Sequence, residues 1–178
     1  MIHLVLGGAR SGKSRFALEQ VMQLSESKNL PVTFVATATA IDPEMAQRIA
    51  YHKAERPDYW RVAEVPLRLN LFLEETEFLP KQILLIDCLT LWLNNQLFEY
   101  PEQNFETLFS ELLSALKTSK CNIFLVSNEV GLGVIPMGEV SRTFVDQAGR
   151  LNQALAACAD KVTFTAAGLP MTLKDTTL

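Results

Sequence analysis

Ile2-His3-Leu4-Val5-Leu6-Gly7-Gly8-Ala9-Arg10-Ser11-Gly12-Lys13-Ser14 is the stretch that decides the fold. An apolar run of strand length leads straight into Gly7 to Ser14, which matches G-x-x-x-x-G-K-[ST], and a helical pattern over 13–24 follows. Strand, glycine-rich turn and helix in that order give the match its meaning. Glycine permits positive φ and close backbone approach, so consecutive N–H groups can face phosphate oxygens, and the helix start adds its positive end. In this reading Lys13 reaches the β and γ phosphates of a nucleoside triphosphate and Ser14 ligates magnesium.

Outward from that loop, Ile83-Leu84-Leu85-Ile86-Asp87 is an apolar run ending in a carboxylate, a form whose Asp can hold the metal directly or through water. Taken alone, Asp87 reads equally well as the start of a turn. Strand-like runs at 2–6, 32–37, 83–87, 122–127 and 162–166 alternate with helical patterns at 13–24, 42–55, 67–77, 90–98, 104–117 and 140–158. The alternation predicts βαβ units on a mostly parallel sheet, and the nearly uniform apolarity of several strands predicts cover on both faces. Residues 169–173 fit a last edge strand, where Pro170 can dispense with one ladder donor. The expected architecture is α/β: one three-layer domain over 1–178, like the P-loop nucleotide-binding folds. Ser14 and Asp87 would both lie at carboxyl ends of strands, where ligands bind in open parallel sheets.

Composition agrees with a packed domain: 178 residues, 48% hydrophobic and 20% charged. Sixteen basic against twenty acidic residues leave a net charge of −4, which argues against nucleic acid as the principal partner. Cys88, Cys121 and Cys158 are odd in number, widely spaced and set in apolar stretches, so they read as reduced core residues. The amino terminus lacks the basic region and small-residue cleavage site of a signal peptide, and no apolar run reaches the roughly 20 residues of a membrane span. A cytoplasmic location is the expectation.

The segment from Asp42 to Pro57 begins with an N-cap and a proline at the first helical position, and Pro57 disfavours helical geometry at Arg56. His52 then falls near the helix end, with Arg48 and Arg56 at i, i+4 spacing and Lys53 beside it. Cations that neutralise phosphate oxygens around a neutral ring nitrogen suit attack on an α-phosphate. A basic helix end that complements the helix dipole has the same spacing. His3, within the first strand and without partners in sequence, reads as structural.

With these residues laid out, the chain resembles the bifunctional adenosylcobinamide kinase and adenosylcobinamide-phosphate guanylyltransferase family of cobalamin biosynthesis. The resembling blocks span almost the whole chain: GGARSGKS at 7–14, ATA at 36–38, the run from Glu44-Met45 through RIAYHKAERPDYW to Ala63-Glu64, LLIDCLTLWLNN, SNEVGLGVIP and DQAGRLNQALA. The resemblance implies phosphorylation of adenosylcobinamide by ATP or GTP with Mg2+, then GMP transfer from GTP to adenosylcobinamide phosphate through a guanylylated His52. It also implies nucleotide contacts at Gly7, Gly8, Ala9, Arg10, Ser11, Gly12, Lys13 and Ser14, at Ala36, Thr37 and Ala38, at Lys53, Ala54, Glu55 and Arg56, and at Glu64 and Asp87. A homotrimer, and a mostly parallel sheet with one antiparallel strand, are implied in the same way. Departures are Ala54-Glu55, where such proteins often carry glycine or a further base, Tyr51 in place of a second histidine, and Asp87 where some have Glu.

Two other readings remain on the residues alone: a monofunctional P-loop kinase, and a non-catalytic module whose partner surface responds to the nucleotide. Asn128 and Glu129 end a strand before a Gly-rich loop, and so either face the site or serve a turn or interface. Asp146, Arg150 and Asn152 read as solvated or inter-subunit helix residues, and Trp60 and Trp92 as core.

Overall fold

The structure, a computed structural model, describes residues 1–39, 43, 47, 56–75 and 82–177. The strands are β1 (Ile2–Gly7), β2 (Val32–Ala36), β3 (Arg61–Glu64), β4 (Ile83–Asp87), β5 (Asn122–Asn128), β6 (Lys161–Ala166) and β7 (Leu169–Asp175). The helices are α1 (Lys13–Lys28), α2 (Leu69–Glu75), α3 (Leu89–Glu99), α4 (Phe105–Thr118) and α5 (Glu139–Cys158). The expected helix over 42–55, His52 included, lies outside the described residues apart from Pro43 and Gln47. Strand β3 was not expected, because Arg61-Val62-Ala63-Glu64 is short, mostly exposed and carries a charge at each end.

Among the described residues one seven-stranded sheet runs in the order β3-β2-β4-β5-β1-β6-β7. Every pair is parallel except β6 with β7, so the expected antiparallel edge is present, and it extends two residues past the expected end. Since successive side chains of a strand point to opposite faces, each strand feeds two cores. On one face Val5, Phe34, Ile83, Leu85, Phe124 and Val126 pack with Ala17 and Val21 of α1. On the other, Leu4, Leu6, Leu84, Ile86, Ile123 and Leu125 pack with Leu69, Trp92, Leu112, Leu151 and Leu155 from α2 to α5. Helices on both faces make the three layers and explain why the central strands are largely apolar.

Local chemistry sets the ends of the elements. Asn104 caps α4, its side chain accepting from the Thr107 N–H at 3.1 Å, and Asn29 closes α1 in the left-handed conformation at φ 49°. Trp60 and Trp92 are both buried, and the Trp92 indole N–H donates to the Leu67 carbonyl at 2.7 Å. The three cysteines are free; Cys88 and Cys121 are buried and Cys158 is half-buried. Among the described residues no helix is long and apolar enough to cross a membrane.

His3 is structural, as expected. Its Nε2 lies 2.9 Å from Thr163 Oγ1, its ring meets Phe16 and Phe124, and burial, aided by Lys161 and opposed by Asp175, lowers its pKa to about 4. The ring is therefore neutral in the fold, while the unfolded chain takes up a proton near pH 6.5. Its contribution to stability is complete above that value and is lost as pH falls from about 6.5 towards about 4, because there the unfolded state binds the extra proton. The loss amounts to roughly 2 kcal/mol after allowance for solvent screening. Urea midpoints compared at about pH 7 and about pH 4.5 should diverge more for the natural chain than for His3→Gln; equal divergence removes His3 as the cause.

Candidate active site

The turn between β1 and α1 is shaped by two left-handed residues, Arg10 at φ 55° and Gly12 at φ 91°. Ser11 N–H donates to the Gly8 carbonyl at 3.3 Å, and Phe16 N–H to the Gly12 carbonyl at 2.9 Å, closing the first turn of α1. Lys13 Nζ reaches back to the Gly8 carbonyl at 3.0 Å, so the ammonium bridges the concavity of the loop. Lys13 is buried; burial pushes its pKa down, and Cys88 and Asp87 nearby push it up.

Gly7 is required by packing. A Cβ there would stand 2.4 Å from Ser11 Oγ and 2.6 Å from the Thr165 carbonyl, inside any real contact. Thr165 Oγ1 donates to the Leu6 carbonyl at 3.2 Å and, having one proton, accepts from Ser11 Oγ at 2.9 Å. The β6–β7 hairpin then turns through Ala167 at φ 51° and Gly168 at φ 80°, and Gly168 N–H donates to the Ser11 carbonyl at 2.9 Å. Two consecutive positive φ values are the signature of a type I′ turn. The phosphate loop is thus buttressed by the last hairpin of the sheet, a contact the sequence reading missed. Its one signal was the two-residue Ala-Gly gap between the expected strands 162–166 and 169–173.

Asp87 ends β4 at the same edge of the sheet. By alternation with Ile83 and Leu85 it lies on the face that α1 covers, and its charge acts on Lys13 at the start of that helix. The Asp87–Cys88 peptide is cis, and Thr37, fully buried, grips it: the Thr37 hydroxyl donates to the Cys88 carbonyl at 2.7 Å and accepts from its N–H at 2.9 Å. Asn95 Nδ2 holds the Thr37 carbonyl at 2.9 Å. Thr37 therefore has its hydroxyl proton committed within the protein. Burial and the adjacent Asp87 push the Cys88 thiol up to about 11, so it is protonated at neutral pH.

Ala36 is paired in register with both Glu64 and Asp87, which brings three of the expected nucleotide contacts side by side. Ala36 and Ala38 are half-buried, while Glu64 is exposed. Arg56 lies over the Phe34 ring, its Cζ 3.8 Å from the centroid, and within the field of Asp87, which opposes the lowering of its pKa by burial. Strand spacing sets Asp87 roughly 10 Å from the loop strand and Glu64 roughly 19 Å from it. His52, Lys53, Ala54 and Glu55 lie outside the described residues.

A hydroxyl at Ser14 and a carboxylate at Asp87 are hard oxygen donors suited to magnesium, which keeps several water or phosphate ligands of its own. Among the described residues no group of three His, Cys, Asp or Glu side chains could hold a metal without such outside ligands. Asn152, read from sequence as a surface residue, is buried; its amide accepts from Ser127 Oγ at 2.8 Å and donates to the Asn128 carbonyl at 3.1 Å. Asp146 and Arg150 are exposed, as expected.

A family model described as cobinamide kinase / cobinamide phosphate guanyltransferase matches residues 3–173. A bifunctional adenosylcobalamin biosynthesis protein, CobP, of Pseudomonas aeruginosa is 50% identical over 174 residues, 98% of each chain. Its counterpart CobU of Escherichia coli is 35% identical over 187 residues, covering 98% of this chain and all of that one. Among solved structures, the flagellar accessory protein FlaH of Methanocaldococcus jannaschii aligns with a TM-score of 0.58 at 15% identity, over 98% of this chain and 78% of that one. A KaiC-like protein of Pyrococcus horikoshii aligns with a TM-score of 0.52 at 15% identity, over 92% of this chain and 69% of that one. At such identities these structures speak for the fold alone, a P-loop nucleotide-binding architecture.

Proposed function

The chain belongs to the cobinamide kinase / cobinamide phosphate guanyltransferase family, and from that premise we propose how its residues divide the two reactions of adenosylcobalamin biosynthesis. In the first, a nucleoside triphosphate held by Gly7 to Ser14 gives its γ phosphoryl group to the aminopropanol hydroxyl of adenosylcobinamide. In the second, GMP passes from GTP to adenosylcobinamide phosphate, giving adenosylcobinamide-GDP and pyrophosphate.

The reading is carried chiefly by one arrangement: a lysine-bearing phosphate loop and a strand-end carboxylate on the same face of the sheet, with Asp87 acting on both Lys13 and Arg56. Phosphoryl transfer needs little covalent help from protein groups and is governed by positioning and charge neutralisation. Loop amides and Lys13 would bind and orient the phosphates; Arg56 and Glu64 would flank the nucleotide further along the sheet edge. Ser14 and Asp87 would hold magnesium, which supplies positive charge to the phosphates.

For the second reaction we assign His52 as the nucleophile. A ring nitrogen would attack the α phosphorus of GTP and release pyrophosphate, and the phosphate of adenosylcobinamide phosphate would then take the GMP group from the ring. Lys53, Ala54 and Glu55 belong to the same segment and are assigned to the guanine nucleotide. We also assign the protein to the cytoplasm and to a homotrimer. Exposed Leu132, Val134, Ile135 and Met137, and Leu169, Met171 and Leu173 of β7, supply apolar surface of the kind subunit contacts cover.

The test is direct. Purified protein with adenosylcobinamide, magnesium and ATP or GTP should yield adenosylcobinamide phosphate by mass, and with GTP go on to adenosylcobinamide-GDP and pyrophosphate. Phosphorylation that stops at the first product reduces the protein to a monofunctional kinase.

A further inference from the structure

Strand β5 lies between the loop strand β1 and the Asp87 strand β4. Its last residue, Asn128, pairs in register with Gly7, at the mouth of the phosphate loop. Alternation along β5 sets the Asn128 side chain on the face of Phe124 and Val126, the face that α1, Lys13 and Asp87 also occupy. Asn128 thus stands between the two charged groups of the phosphate site.

Its backbone is fixed from several sides. Asn128 N–H donates to Thr90 Oγ1 at 2.7 Å, its carbonyl accepts from Asn152 Nδ2 at 3.1 Å, and the next N–H, of Glu129, donates to the Gly7 carbonyl at 3.0 Å. Asn152 is itself buried and held by Ser127. Three polar side chains therefore serve to place one residue. Yet the Asn128 side-chain oxygen is buried and has no hydrogen-bond partner among the described residues. A buried acceptor left without a donor is disfavoured, and in a native site it points to a ligand group that supplies one.

We propose that Asn128 is a positioning residue of the phosphoryl-transfer step, its Oδ1 accepting a hydrogen bond from the attacking hydroxyl of the acceptor. The inference rests on the kinase reading above. In the step, a lone pair of the hydroxyl oxygen forms the new bond to the γ phosphorus. The bond from that phosphorus to the β,γ-bridging oxygen breaks, its electron pair leaving on the nucleoside diphosphate. The hydroxyl proton passes to solvent, since a carboxamide is no base at neutral pH; the amide fixes the direction of attack. Strand-end placement on a rigid sheet holds such a group more closely than a loop would.

Asn128→Ala should lower kcat for phosphoryl transfer to adenosylcobinamide by about 10- to 100-fold, with nucleotide Kd moved less than about threefold. GMP transfer to preformed adenosylcobinamide phosphate should fall less, because no acceptor hydroxyl takes part. Equal loss of both transfers together with a lowered thermal midpoint would make the residue merely structural and overturn the proposal. So would an unchanged kcat, or a raised magnesium requirement as the sole effect, which would assign the oxygen to metal-bound water. Asn128→Asp keeps the shape and adds a charge beside the phosphates, so nucleotide Kd should rise by about 10-fold or more; an unchanged Kd in that folded variant also overturns it. If the natural chain itself fails to phosphorylate adenosylcobinamide, the kinase reading fails instead, and the two failures are told apart.

Discussion

Lys13→Ala is expected to cut phosphoryl transfer by about two to three orders of magnitude, the usual cost of removing a preorganised group aimed at charge developing in the transition state. Its ammonium is held in the loop by the Gly8 carbonyl, within the field of Asp87, where the phosphates of a triphosphate would lie. Burial adds to the effect, since charges interact more strongly where water is excluded. Single-turnover rates with saturating nucleotide separate this loss from weaker binding. A variant that binds nucleotide poorly but turns over at the natural rate would show that Lys13 serves binding alone.

The second large effect concerns His52. With GTP labelled at the α phosphate, the natural chain should retain label in a bond that acid breaks and alkali spares, as a phosphorus–nitrogen bond does. His52→Ala should retain none while continuing to phosphorylate adenosylcobinamide, because the machinery proposed for γ transfer is Gly7 to Ser14 with Asp87. Mass spectrometry of the labelled protein reads the adduct and its residue. Label that survives in His52→Ala would falsify the assignment and send the search to another nucleophile.

Much of this site could be read without coordinates, for reasons that differ residue by residue. Gly7 to Ser14 is legible because its backbone geometry admits few residue types: Gly7 has no room for a methyl group and Gly12 has positive φ. Asp87 is legible because an apolar strand buried on both faces ends abruptly in a charge. Strand β3 escaped because an exposed edge needs no apolar run, and its four residues show none. Asn152 escaped because helical periodicity reports faces, whereas its burial depends on a hydroxyl at Ser127, 25 positions earlier. Neither the grip of Thr37 on Cys88 nor the placement of β5 between β1 and β4 is written in any local pattern. Long-range pairing is a property of the assembled sheet.

The position of β1 in that sheet has a consequence for how the protein is made. The loop-bearing strand is synthesised well before its two neighbours, β5 and β6, which begin only at Asn122 and Lys161. At cellular elongation rates β1, buried along its whole length once folded, waits on the order of ten seconds with both edges bare. A braced phosphate loop therefore has to await the synthesis of β5 and β6, and a nascent chain halted before the β6–β7 hairpin would carry the whole motif yet lack the turn that braces it.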